Sequence, residues 1–212
     1  MTARLIRLRR PAVLSMIDEP FVPDDAHLDE IDRRWATLCA ENPAYFDGRV
    51  LHVLGVHRNG AGGAVLHVAD CAYRFHATQD DDFDLGVRPL GVKGIVVRDG
   101  AALFGRRSMH VANYRGLWEF APAGVVEPGR APADVIVSEL HEETGLRPRR
   151  DPVPVALLYD DVLRCWEMAF RLDVQPQGDP PPTGEYAELR WCRPEAIPDA
   201  LTPIARAMRG LW

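Results

Sequence analysis

Three glutamates in the second half of the chain have a spacing suited to holding a metal ion. Glu139, Glu142 and Glu143 stand at i, i+3 and i+4, so they share one face if the segment is helical. Like charges at this spacing destabilise an isolated helix. A hard divalent cation would offset that repulsion, because carboxylate oxygens are its preferred ligands. A merely solvated acidic helix end is the competing interpretation of the spacing alone.

The segment around these glutamates is predicted to be a helix over residues 132–144. Pro132 suits a first helical turn, Asp134 places a negative charge near the helix start, and Gly145 suits the left-handed residue that ends a helix. The glutamates then lie near the C-terminal end, where the helix dipole disfavours them. A bound cation would compensate for this position as well.

Strand patterns lie on both sides of the predicted helix and indicate a mixed α/β sandwich. An Asp99-Gly100 turn predicts a hairpin of strands 92–97 and 101–104. Residues 24–41 show helical periodicity, and the acidic stretch 79–84 interrupts the pattern. We therefore predict an N-terminal α+β extension over 1–85 and a second domain over 86–212. The other predicted elements are strands 49–56, 64–68, 117–120, 153–159, 163–172 and 187–191, a loop over 175–183 and a helix over 202–208.

Composition and charge narrow the class of protein. The 212 residues carry a formal net charge of -6, so no overall positive field would attract nucleic acid. We found no apolar run long enough for a membrane span or a signal peptide. The four cysteines form no close pair, which argues against a zinc cage and favours reduced thiols. We expect a cytoplasmic protein that binds neither nucleic acid nor membranes.

Residues 124–146, GVVEPGRAPADVIVSELHEETGL, resemble the Nudix box, GX5EX7REUXEEXGU with U a bulky aliphatic residue. The preceding run 118–124 resembles the strand and turn that lead into the box. The resemblance extends over 86–212 and implies a Nudix α/β/α sandwich with a mixed sheet. It also implies metal-dependent hydrolysis of a diphosphate bond in a nucleoside diphosphate linked to another group. The matching residues are Gly124, Glu139, Leu140, Glu142, Glu143, Gly145 and Leu146.

The chain departs from the box at two positions. Arg130 stands at the first glutamate position, and Ser138 stands at the arginine position. In the family that arginine neutralises and orients the neighbouring glutamates, and serine brings no charge. Arg130 lies about two helical turns before Ser138 and is a candidate to supply the missing charge.

The resemblance also implies roles for individual residues. Glu139 is expected to bind the metal or act as general base, and Mg²⁺ is the expected ion, with Mn²⁺ as the alternative. A further glutamate often comes from a loop before the last strand, where Glu185 fits, with Glu188 and Glu167 as alternatives. The predicted metal ligands are Ala123 through its carbonyl, Glu139, Glu142, Glu143 and Glu185.

Three arginines are candidates for binding substrate phosphate, because arginine suits bidentate phosphate contacts. Arg106 and Arg107 end the predicted strand before the box, and strand alternation directs one of them to solvent. Tyr114 and Arg115 follow in the next loop, where an ordinary polar loop is an equally good interpretation.

Segments 35–48, 73–75 and 84–92 resemble the branch of the family that hydrolyses UDP-glucose and UDP-galactose, whose box also lacks the arginine. This implies a UDP-sugar substrate, with UMP and a sugar 1-phosphate as products. ADP-ribose or another nucleotide-sugar is the alternative substrate, and a homodimer stays open.

Three hypotheses follow. The first is this nucleotide-sugar diphosphatase. The second is a nucleotide-binding regulatory module with impaired catalysis, motivated by Arg130 and Ser138. The third is an interaction protein whose glutamates are only a solvated face.

Overall fold

The computed structural model describes residues 4–175 and 178–212, and its main element is an eight-stranded mixed sheet. Six strands follow the order β1-β9-β10-β5-β6-β11, while β7 pairs with β6 and β8 pairs with β5. The β5 and β10 strands are parallel, and the other pairs are antiparallel. The strands of this sheet are β1 (Arg4–Arg7), β5 (Leu90–Arg98), β6 (Ala101–Arg107), β7 (Trp118–Phe120), β8 (Ala123–Val125), β9 (Val153–Asp160), β10 (Cys165–Asp173) and β11 (Tyr186–Cys192).

A second sheet of three strands is formed by β2 (Val13–Ile17), β3 (Arg49–Arg58) and β4 (Ala64–Ala72) in the order β2-β4-β3. Helix α1 (Leu28–Glu41) places the fully buried Ile31 against this sheet and the short helix α2 (Tyr73–Ala77). The remaining helices are α3 (Pro132–Thr144) and α4 (Pro203–Met208).

Apolar side chains alternate between the two faces of the main sheet, as strand geometry requires. One face carries Val92 and Met168 and packs against α3 and the small sheet. The other carries Ile95 and Ala169 and packs against α4. The result is the α/β/α sandwich expected for the fold class, with α3 and α4 on opposite sides.

The structure confirms several local predictions. Helix α3 has the predicted bounds, and Gly145 after it has φ 70, the left-handed conformation expected of a helix end. Strands β5 and β6 form the predicted hairpin around Asp99-Gly100. The predicted loop over 175–183 falls partly outside the described residues.

The strands β1 and β2 were not predicted, because their short apolar runs carry no clear period. Strand β1 joins the main sheet by pairing Arg4–Arg7 with Ala156–Tyr159, far away in sequence. Small-sheet residues such as Leu66 also belong to the same apolar core as Leu90. The division at residue 85 remains a prediction, and the extension shares a core with the second domain. Among the described residues, no helix is long and apolar enough to span a membrane.

Candidate active site

A cavity of about 310 Å³ lies where α3 meets the ends of the central strands. Its volume is at the lower end of the range for small-molecule sites. Strands β5, β6, β7 and β10 contribute charged side chains to its wall, and α3 contributes Glu139. The polar residues that line it include Lys93, Arg107, Tyr114, Glu119, Glu139, Asp160, Glu167 and Glu185.

Helix α3 approaches strand β8 at Gly124. A Cβ atom at Gly124 would overlap the carboxylate of Glu139, so only glycine permits this approach. Glu139 is half-buried, and burial, followed by the charges of Glu142 and Glu185, raises its pKa to about 7. The first glycine of the motif therefore places the Glu139 carboxylate against the backbone of β8.

Glu143, one helical turn after Glu139, is only 8% exposed. Its Oε2 accepts a hydrogen bond from the Ala123 N–H at 3.2 Å. Burial, together with the charge and hydrogen bond of Glu185, raises its pKa to about 10. The structure thus brings Ala123, Glu139, Glu143 and Glu185 together, while Glu142 is exposed and its charge acts on Glu139.

The three arginines have different surroundings. Arg107 enters the cavity and donates hydrogen bonds to Glu119 at 2.6 Å, to Glu185 at 2.9 Å and to the Asn113 carbonyl at 2.9 Å. Arg106 lies on the opposite face of β6 and is exposed, with its Nε 3.5 Å from Glu188. Strand alternation thus separates the two neighbours as expected. Arg115 is exposed and donates to the Val111 carbonyl at 2.7 Å.

A buried ion-pair network forms the floor of the cavity. Lys93, the single lysine of the chain, donates to Glu119 Oε2 at 2.6 Å. Glu119 is 2% exposed, and its Oε1 accepts from Arg107 and from the Tyr186 hydroxyl at 3.3 Å. The cations Lys93 and Arg107 outweigh burial and lower the pKa of Glu119. This network joins β5, β6, β7 and β11.

Asp160 closes the opposite wall at the end of β9. The Tyr114 hydroxyl donates to its carboxylate at 2.8 Å, and the N–H groups of Val162 and Leu163 donate at 2.9 and 3.0 Å. The Asp160 carboxylate therefore accepts hydrogen bonds from three donors, and its bond to Tyr114 holds the loop that carries this tyrosine. Burial, with the Asp160 hydrogen bond, raises the pKa of Tyr114, which keeps its hydroxyl protonated as a donor.

The family model for the NUDIX domain matches residues 87–211, which is more than half of the chain. The chain belongs to the Nudix family. Members of this family act on pyrophosphate bonds and generally use divalent metals such as Mg²⁺ or Mn²⁺. The matched range includes α3 and every charged residue of the cavity wall.

The chain is also similar to individual proteins. The chain is 28% identical over 152 residues to an RNA pyrophosphohydrolase of Agrobacterium fabrum, a match that covers 59% of this chain and 88% of the relative. Among solved structures, it is similar to a MutT Nudix hydrolase from Burkholderia pseudomallei, with 22% identity, a TM-score of 0.48 and 57% and 95% of the two chains covered. A UDP-X diphosphatase structure gives 18% identity, a TM-score of 0.43 and coverage of 58% and 62%.

The two departures from the Nudix box contact each other. The Arg130 guanidinium donates to Ser138 Oγ at 2.9 Å. This contact brings positive charge to the position where the box has its arginine. The charge of Arg130 lowers the pKa of Glu139, against the larger effects that raise it. Arg130 therefore supplies a positive charge near Glu139 from outside the helix.

The donor set suits a hard divalent cation. Within 4–175 and 178–212, no group of three or more His, Cys, Asp or Glu side chains is arranged to hold a metal ion. Glu143 and Glu185 hydrogen-bond to each other instead, and Glu142 is exposed. Crowded, partly buried carboxylates with raised pKa values are nevertheless groups that a cation would stabilise in their charged form. Modest side-chain rotations of Glu142, Glu143 and Glu185 would be needed.

Lys93, Glu119 and Asp160 were not singled out from the sequence. The signal for Lys93 was available, because a lone lysine interrupts the apolar run of β5. A charge in a buried strand is rare unless it is paired. Glu119 and Asp160 carry no comparable local signal, since their roles depend on strands that are distant in sequence.

Proposed function

We propose that this protein hydrolyses the diphosphate bond of a nucleoside diphosphate linked to a sugar, with UDP-glucose as the leading substrate. The observation that supports the proposal is the cavity where Glu139, Glu185 and Ala123 meet beside the cationic Arg107, with Glu143 hydrogen-bonded to the Ala123 N–H. Attack of water on phosphorus breaks the bridging P–O bond and yields UMP and glucose 1-phosphate.

Each group has a defined task in this proposal. Glu139, Glu142, Glu143, Glu185 and the Ala123 carbonyl hold Mg²⁺, or Mn²⁺ in its place. The ion supplies charge neutralisation of the diphosphate and a more acidic bound water. Glu139 takes the proton of the attacking water. Its placement against Gly124 fixes this carboxylate before substrate binds.

Positive charge for the phosphates is supplied by Arg107. It is held rigidly by three acceptors, so little order is lost when a phosphate binds. Because Arg107 also donates to Glu119 and Glu185, a substrate phosphate competes with these two carboxylates for its N–H groups. Arg106 and Arg115 are exposed outside the cavity wall and are proposed as contacts only for a part of the substrate that projects from it.

The UDP-sugar assignment is supported by the sequence resemblance in segments 35–48 and 84–92. ADP-ribose and other nucleotide-sugars are the alternatives within the same reaction. A second candidate is removal of pyrophosphate from an RNA end, which the name of the Agrobacterium fabrum relative favours. The net charge of -6 disfavours a long RNA ligand.

The test is an assay of purified protein with Mg²⁺ on UDP-glucose, UDP-galactose, ADP-ribose and RNA with a 5′-triphosphate. We expect UMP release from the UDP-sugars. Glu142→Gln should lower kcat by about 100-fold or more, the scale seen when one group that stabilises developing charge is removed. Glu195→Gln, an exposed glutamate distant from α3 in sequence, is the matched control and should keep its activity.

Failure of folded, Mg²⁺-loaded protein to consume any of these compounds would remove the enzyme proposal. It would leave the regulatory module, for which nucleotide raises the melting temperature without being consumed. Preferential turnover of the RNA would move the substrate assignment to the second candidate.

A further inference from the structure

Glu167, on β10, has an incomplete set of hydrogen bonds although it is only 9% exposed and lines the cavity. Its Oε1 accepts a weak bond from the Cys165 thiol at 3.7 Å. Its Oε2 has no partner among the residues that the structure describes. A buried acceptor without a partner costs free energy, so such a group in a native protein calls for a ligand or a function.

The main chain of β5 holds this carboxylate in place. Glu167 stands opposite Gly91 in the parallel β10–β5 pair. A Cβ atom at Gly91 would be 2.5 Å from Oε2, so the glycine creates the space that the carboxylate occupies. Both strands are buried at this point, and the cavity is the space that Glu167 lines.

Lys93 is the complementary group on the same face, two residues along β5 from Gly91. Lys93 is 8% exposed, and its ammonium makes one hydrogen bond, to Glu119, although it has three protons to donate. Lys93 and Glu167 attract each other electrostatically, and no hydrogen bond joins them in the described part of the chain. A free acceptor and free donor protons therefore line one cavity.

The other buried carboxylates of the cavity are already used. Glu119 accepts from Lys93, Arg107 and Tyr186. Asp160 accepts from the Tyr114 hydroxyl and two main-chain N–H groups. Among the described residues, Glu167 is thus the buried cavity carboxylate with an open position.

We propose that Glu167 and Lys93 form a recognition site for a substrate group that presents a hydrogen-bond donor beside an acceptor. Two parts of a UDP-sugar have this chemistry: a sugar hydroxyl, and the N3–H and C4=O edge of uracil. Glu167 accepts from the donor, and Lys93 donates to the acceptor. The inference deepens the proposed function, since it concerns which diphosphate compound the same cavity selects.

The experiment compares Glu167→Met, which keeps length and removes both oxygens, with Glu167→Gln, which keeps one acceptor. We expect kcat/KM for UDP-glucose to fall about 10- to 100-fold in the methionine variant, the range for a lost hydrogen bond to a charged group. The glutamine variant should recover part of this loss. Glu195→Gln is the control, and melting temperatures verify that each variant is folded.

Substrate changes identify the recognised group. If Glu167 contacts uracil, wild-type protein prefers UDP-glucose to CDP-glucose and the methionine variant loses that preference. If it contacts the sugar, the variant instead loses the preference for UDP-glucose over UDP-sugars that lack or invert one hydroxyl. Glu167→Met combined with a substrate that lacks the contacted group should then lower kcat/KM no more than either change alone. If kcat/KM of Glu167→Met falls equally for every substrate, or does not change, the proposal is wrong. Glu167 would then bind an ordered water or serve only in packing.

Binding separates this inference from the proposed function. Melting temperatures are measured with uridine, UDP and glucose 1-phosphate for wild type and Glu167→Met. A rise in wild type that the variant loses supports recognition at Glu167 even if no compound is hydrolysed. Identical rises in both proteins count against it even if UDP-glucose is hydrolysed well.

Discussion

Arg130 and Ser138 are the two residues that depart from the Nudix box, and together they bring a positive charge beside the α3 carboxylates. Each departs from the Nudix box, and either change alone would weaken the support of Glu139. The hydrogen bond of 2.9 Å between them places a guanidinium beside the α3 carboxylates without an arginine on the helix itself. Both departures are visible in the sequence, but only the folded chain shows that the two residues contact each other.

A double-mutant cycle tests this compensation. We expect Arg130→Gln to lower kcat by roughly 3- to 10-fold, because one exposed charge near Glu139 is lost and solvent screens its effect. Ser138→Arg should restore the activity of that variant, since it returns charge to the position used in the box. The measurement is kcat at saturating UDP-glucose for both single variants and the double variant.

If Arg130→Gln and Ser138→Arg have independent, additive effects on kcat, the two residues do not share a function. Arg147→Gln is a suitable control, because Arg147 is exposed just after the same helix and makes no ion pair with a described residue. It should leave kcat unchanged.

At the scale of elements, the contact of β8 with α3 determines where the catalytic carboxylates lie. The sequence predicted α3 well, because its proline start, glycine end and periodicity are local signals. The resemblance to the box implied that Ala123 and the α3 glutamates share a site, but strand β8 itself was not predicted. Strand β1 and the pairing that brings Glu167 opposite Gly91 depend on partners far away in sequence, and no local pattern specifies such partners.

Gly124→Ala tests this contact. The new methyl group would overlap Glu139 and force its carboxylate or the helix to move. A displacement of about 1 Å in a catalytic group costs about 100-fold in rate, so kcat should fall by that order while the melting temperature changes little. Gly178→Ala, where the new Cβ would meet no heavy atom within 4 Å, is the control and should preserve both quantities. A fully active Gly124→Ala protein would contradict the assigned role of the contact.

At the scale of the whole molecule, the N-terminal layer contains two histidines near Arg88, the buried His52 and the partly buried His76. His52, on β3, is 4% exposed and its Nδ1 accepts the Arg88 N–H at 3.0 Å, an interaction that protonation would break. Burial lowers the pKa of His52. Burial, followed by the charge of Arg88, also lowers the pKa of His76 to about 4. The layer that covers the main sheet is therefore acid-sensitive.

His76→Gln should remove part of that acid sensitivity. An unfolded histidine titrates near pH 6.5, so between about pH 6.5 and 4 the unfolded chain binds a proton that folded His76 does not. The free energy of unfolding therefore decreases as the pH is lowered, and His76 accounts for up to about 3 kcal/mol of that decrease. The raised pKa values of Glu139 and Glu143 act in the opposite direction.

The test is therefore the difference in the free energy of unfolding between wild type and His76→Gln, measured by urea unfolding at pH 7.5 and at pH 5. That difference should shrink or reverse in favour of the variant at pH 5, whereas the exposed His110→Gln should follow wild type. Parallel loss in wild type and His76→Gln would show that other groups determine the acid response.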